Sequence, residues 1–146
     1  MTETMTDTTA TIAAPDIARP AVLRIAPLID PIIETLGHDP RSRHIERYWL
    51  PVVGPTVLVL ARLLAAELDD NPTGCDLDIP TLAARLGIAT PNPAMPRLHA
   101  AMRRARHFGF LAWGAPDLIL VRRALPPLPL RHHRRLPADL RAELAA

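Results

Sequence analysis

The stretch Asp78-Ile79-Pro80-Thr81-Leu82-Ala83-Ala84-Arg85-Leu86-Gly87-Ile88 decides how this chain is read. Asp78 is a good N-cap and Pro80 suits the first turn of a helix. Leu82, Ala83 and Leu86 then recur on one side, which predicts a short buried face. Ala83 is small enough to let another helix cross closely. Gly87 ends the helix, because glycine enters a tight left-handed turn without a steric penalty.

Outward from this unit, a Pro/Asn-rich turn leads to a second helix predicted over residues 94–107. Its core positions are Leu98, Ala101, Met102 and Ala105, and Gly109 ends it. Phe110–Trp113 reads as a strand, 114–117 as a turn and Leu118–Leu125 as a second strand. A hairpin thus follows two short helices. On the other side, Cys75–Asp78 is a candidate strand. Residues 55–69 are apolar almost all round, which predicts the central buried helix. Residues 42–50 form a further helix, with Ile45, Tyr48 and Trp49 at i, i+3 and i+4, and Pro51 bends or ends it. Asp39-Pro40 marks its approach.

Residues 1–20 read as a disordered tail, and 21–40 as a linker with a short helix started by Asp30-Pro31 and stopped by Gly37. Ile32, Ile33 and Leu36 would line one side of that helix and dock it on the domain or on a partner. The main domain spans 41–128. Residues 129–146 hold the basic segment Arg131–Arg135, then a terminal helix at 137–144 with Leu136, Leu140 and Leu144 on one side.

The order of helix, strand, paired helices and hairpin resembles the winged helix-turn-helix domain of bacterial DNA-binding regulators. Leu82–Ile88 and the run from Leu98 to Trp113, including Gly109-Phe110, carry this resemblance over about residues 55–125. It implies a fold that is mainly α with a small β-hairpin. A weaker resemblance lies in Tyr48–Pro55, which is similar to the start of winged helices in primosomal replication-initiation proteins. There the domain can serve self-association. No counterpart of those proteins' second domain is expected, so replication is an analogy only.

Charge placement suits the first resemblance. All seventeen basic residues are Arg, a bias typical of GC-rich genomes, so position matters more than number. Residues 1–40 are net acidic and 41–146 net basic. Between 97 and 135 nine arginines stand against Asp117 alone. A basic surface draws polyanions, whereas the bland reading is a solvated helix face. If helix 94–107 packs through its core positions, Arg97, His99, Arg103, Arg104 and Arg106 face out. Arg97, His99 and Asn92 are then candidates for base contact, since arginine can grip guanine with two hydrogen bonds. Arg103 and Arg104 suit phosphates. Arg122 and Arg123 are candidates for a wing contact, although strict alternation turns one of them inward. Arg131, Arg134 and Arg135 form a second basic site, which extends a DNA contact or pairs with the acidic tail.

No phosphate loop, acid–base pair or zinc spacing appears. No catalytic residue, metal or cofactor is therefore expected. Cys75 is the only cysteine, which suits a reduced, intracellular setting and a core role for the thiol; with the DNA-binding resemblance, the expected location is cytoplasmic and nucleoid-associated. Met1–Ala14 lacks a signal peptide's basic start, and Tyr48–Leu60 is too interrupted to span a bilayer. The expected function is a bacterial, non-enzymatic transcription regulator that binds double-stranded DNA as a homodimer. The alternative is a winged-helix interaction or oligomerisation module in replication, transcription or phage machinery, with residues 21–37 or 136–146 meeting a protein partner.

Overall fold

The structure, a computed structural model, describes residues 21–146. The tail predicted for residues 1–20 lies outside them. The elements follow as β1 (Val22–Pro27), α1 (Pro31–Leu36), α2 (Arg43–Val53), α3 (Pro55–Asp70), β2 (Cys75–Asp78), α4 (Ile79–Arg85), α5 (Pro96–His107), β3 (Leu111–Ala115), β4 (Leu118–Val121), a 3₁₀ helix (Leu130–Arg135) and α6 (Ala138–Ala145).

This is a mixed α/β architecture, which corrects the expectation of a mainly helical chain with a small hairpin. The sheet has four strands in the order β2-β1-β4-β3. Its second strand, β1, comes from the segment expected to be a linker. β1 runs antiparallel to β2, with Leu23 opposite Leu77, and parallel to β4, with Ile25 opposite Ile119. Val22–Pro27 alternates exposed and buried residues at its start, the period of a strand with one wet face. Leu23 and Ile25 are fully buried. The sequence VLRIAP has this alternation, but with only two apolar positions on the core side it stands out little beside the stronger helix signals. Gly74 lets the approach to β2 pass close to β1. Its φ is +116°, and a Cβ there would collide with the Ile25 carbonyl oxygen.

Helices cover the sheet's buried face. In α3, Val57, Leu58, Leu60, Ala61, Leu64, Ala65 and Leu68 are buried, as the all-round apolar pattern requires. Trp49 of α2 is buried, and its indole N–H donates to the Pro126 carbonyl at 2.8 Å. Pro51 does not end α2, because the helix continues to Val53 and Gly54 caps it. Ser42, rather than Asp39, is its N-cap. The core also reaches past residue 128, with Leu136 buried and Leu140 and Leu144 packed against it. The packed unit is thus wider at both ends than 41–128.

The deciding stretch forms as expected. The Asp78 carboxylate accepts from the Thr81 N–H at 3.1 Å, and Gly87 takes φ +73°. In α5, Leu98, Ala101, Met102 and Ala105 are buried. The turn before α5 ends with Met95 in the left-handed region at φ +47°, a costly conformation for a residue that carries a side chain. Its side chain is buried, so core packing offsets that strain. The second strand of the hairpin is shorter than expected, since β4 stops at Val121 and Arg122 and Arg123 lie beyond it, whereas β3 starts one residue later than expected and runs on to Ala115.

The apolar side of α1 does not dock on the domain. Asp30 caps it, accepting from the Ile33 N–H. None of its residues is buried, and Ile32 and Leu36 are 69% and 64% exposed. It is held by polar links instead, including the two backbone hydrogen bonds between His38 and Leu125.

Candidate nucleic-acid interface

Burial of Leu98, Ala101, Met102 and Ala105 sets the rotation of α5. At 3.6 residues per turn, Pro96, Ala100, Arg103 and His107 then form its outermost line, and all four are exposed. Arg97 and Arg104 lie on one flank, His99 and Arg106 on the other. The four arginines of α5 therefore do not share one surrounding.

Arg103 points outward, and among the described residues neither it nor Arg97 has a hydrogen-bond or ion-pair partner. Arg104 is anchored inward. Its Nε donates to the Val53 carbonyl at 2.9 Å and a terminal nitrogen donates to the Val52 carbonyl at 3.0 Å. These are orphan carbonyls at the end of α2, where a cation also meets the negative end of the helix dipole. The same guanidinium lies 5.2 Å from the centre of the Phe108 ring. Arg106 sits 5.7 Å from the ring centre of Trp113 in β3. His99 is half-buried and has interactions of its own.

Asn92 is exposed, but it shapes the turn: its amide oxygen accepts from the Ala94 N–H at 2.9 Å and its carbonyl accepts from the Met95 N–H. The hairpin arginines are paired with the N-terminal arm. Arg122 donates to the Gly109 carbonyl at 2.8 Å and to the Asp30 carboxylate at 3.1 Å. Arg122 and the Ile33 N–H hold the Asp30 carboxyl below its usual range. Arg123 lies 3.6 Å from Glu34. Arg97, His99, Arg103, Arg104 and Arg106 thus share one helix, but Arg104, like Arg122 and Arg123 of the hairpin, is engaged within the fold, and Asn92 within a turn.

The 3₁₀ helix packs beside the C-terminal end of α5. His132 lies 5.3 Å from the Phe108 ring, and the Arg135 guanidinium is 5.6 Å from the same ring. Burial and the neighbouring Arg131 and Arg135 charges push the His132 pKa down. Arg131 and Arg134 are exposed and have no acidic partner among the described residues. The density of Arg in LRHHRR marks this segment in the sequence. Its position beside the end of α5 depends on the long return through Pro126–Pro129.

α6 is strapped to α2. Arg47 donates to both Glu143 oxygens and the Tyr48 hydroxyl donates at 2.8 Å. These donors hold the Glu143 carboxyl down at about 2. Among the described residues, no group of three or more His, Cys, Asp or Glu could hold a metal ion. Cys75 is half-buried with its thiol pKa raised by burial, as suits a packing role. No helix among the described residues is long and apolar enough to cross a membrane.

No protein-family model, no curated protein and no solved structure matches this chain. The class that the fold and the site define is a mixed α/β unit with a basic helix, two of whose arginines, Arg97 and Arg103, have no partner among the described residues.

Proposed function

We propose that this chain is a non-enzymatic winged helix-turn-helix protein of the bacterial cytoplasm, associated with the nucleoid, that binds double-stranded DNA and regulates transcription. In this reading α4 and α5 are the helix-turn-helix, α5 enters the major groove, and the β3–β4 hairpin is the wing. The observation that carries it is the exposed surface of α5, where Arg103 on the outermost line and Arg97 on one flank lack acidic partners among the described residues. No acidic residue occurs anywhere from 79 to 116. A purely solvating helix face would commonly intersperse acids as i,i+4 partners.

Arg97 and His99, near the start of α5, suit base edges. Arg103, Arg131 and Arg134 suit phosphates. Arg104 and Arg122 serve the fold and only indirectly the interface. A homodimer would present two such helices to paired half-sites.

Fluorescence anisotropy with a pool of genomic duplexes across a salt series tests this. Binding should weaken steeply with salt. Arg97→Ala/Arg103→Ala should make the slope of log K against log salt shallower by about 0.9 for each phosphate left unneutralised. Binding by that folded variant with the parent's affinity and slope would refute the assignment.

One observation favours an interaction or oligomerisation module as the second reading. The wing arginines are already matched by Asp30 and Glu34, while Ile29, Ile32 and Leu36 stand exposed beside them. Sedimentation of Ile32→Ser/Leu36→Ser separates the readings. Loss of self-association with DNA binding intact assigns that patch to assembly, and an unchanged sedimentation coefficient removes it.

A further inference from the structure

A cleft of about 370 Å³ lies between the start of α3 and the Arg97–Arg104 flank of α5. Its origin is legible in α5. Arg97, Ala100, Ala101 and Arg104 are spaced i, i+3, i+4 and i+7, so they form one stripe along the helix. Two small residues separate two long cationic ones, which leaves a hollow with a charged group at each end. Val53, Val57 and Ile88 supply apolar walls, and Thr56 also lines the cleft.

The lining contains no acid. Arg97 has no partner among the described residues. Arg104 directs its Nε and one terminal nitrogen to the Val53 and Val52 carbonyls. Those two bonds fix the guanidinium in place and leave its other terminal nitrogen for an acceptor from outside the fold. A cation would meet repulsion at both ends of the hollow. An apolar neutral molecule would leave both guanidinium groups unmatched. A molecule with an apolar body and one carboxylate satisfies both the walls and the charge. The volume suits a single small molecule, and a carboxylate can take two parallel hydrogen bonds from one guanidinium. The start of α3, which has no side-chain cap at Gly54, adds a positive potential of the same sign.

We propose that this cleft is a binding site for a small organic monocarboxylate with an aryl or branched-alkyl body, its carboxylate held by Arg97 and its body on Ala100, Ala101, Val53 and Ile88. The proposal concerns a ligand other than DNA and stands whether or not α5 binds a duplex.

Methyl-resolved NMR of the full chain tests it, with 3-phenylpropanoate as the probe and 3-phenylpropanamide and 3-phenylpropylamine as controls. The acid should produce saturable shifts confined to the methyls of Val53, Val57, Ile88, Ala100 and Ala101. The amide, which lacks the charge, should bind about tenfold more weakly or worse, and the amine should not bind. Arg97→Gln should weaken the acid by a similar factor. Ala100→Leu, at an exposed position, should fill the hollow and abolish the shifts while the rest of the spectrum stays native. Absence of saturable shifts at concentrations up to about 10 mM would overturn the proposal. So would equal affinity for acid and amide, or unaltered binding by both variants.

Discussion

Arg103 and Arg122 are the same residue type in equally basic stretches, yet their surroundings differ. Arg103 stands on the outer line of α5 with no acceptor among the described residues. Arg122, beyond the end of β4, is held between the Gly109 carbonyl and Asp30. The difference is made by the N-terminal arm. β1 inserts into the sheet beside β4 and so delivers Asp30 and Glu34 to the two hairpin arginines. Arginine density marks a region, while the acids and carbonyls brought to it from elsewhere decide which guanidinium groups can meet a foreign anion.

The comparison breaks most readily at the root of the arm. Ile25→Ala empties a fully buried site in an inner strand. It should lower unfolding free energy by about 2–5 kcal/mol, read by urea denaturation. If the native fraction also loses protection of β1 amides in hydrogen exchange, the arm is confirmed as the device that holds Asp30 in place. A loss below about 1 kcal/mol would mean that β1 is a dispensable addition to the sheet.

A smaller effect separates Arg104 from its neighbour. Arg104→Met keeps much of the side-chain volume but leaves the Val52 and Val53 carbonyls without their donor. About 1.5–3 kcal/mol of stability should disappear. Arg103→Met, one residue away, should remain within about 0.5 kcal/mol of the parent. Equal losses in the two variants would contradict the division of labour along α5.

At the hairpin, Arg122→Ala removes a partly exposed ion pair and one carbonyl hydrogen bond, so about 1 kcal/mol is expected. Asp30→Asn leaves Arg122 in place and removes its counter-charge. If the duplex reading of α5 holds, that variant should bind DNA more tightly, with a steeper salt slope than the parent. An unchanged slope would mean that the hairpin takes no part in the contact.

The smallest effect is a pH dependence at the contact between α2 and α6. Glu143 has a folded pKa of about 2, below the ordinary value of a glutamate, through Arg47 and the Tyr48 hydroxyl. Its contribution to stability is therefore fully present above the unfolded pKa of about 4.3 and is lost as pH falls toward the folded value. Glu143→Gln should flatten the thermal midpoint between about pH 5 and 2 relative to the parent. An identical acid profile would show that the α2–α6 strap adds nothing to the folded state.

Much of the fold is open to a reading of residues in order. The helix after Asp78, its left-handed stop at Gly87, the core positions of α5 and the all-round burial of α3 follow from local periodicity and capping. These signals are local because a helix satisfies its own backbone. A strand does not, and β1 shows the consequence: its hydrogen-bond partners lie about fifty residues away in β2 and about ninety-five away in β4. Nothing within Val22–Pro27 names them.

The candidate site divides in the same way. The basic character of α5 and of Arg131–Arg135 is written in the sequence, as is the absence of nearby acids. Only the tertiary structure decided that Arg104 closes the end of α2, that Arg122 meets Asp30, and that two alanines between two arginines face a cleft rather than open solvent. Residue type and spacing along one helix determine which side chains share a face. Which of them keep their charge available depends on acceptors from distant segments, and only packing brings those together.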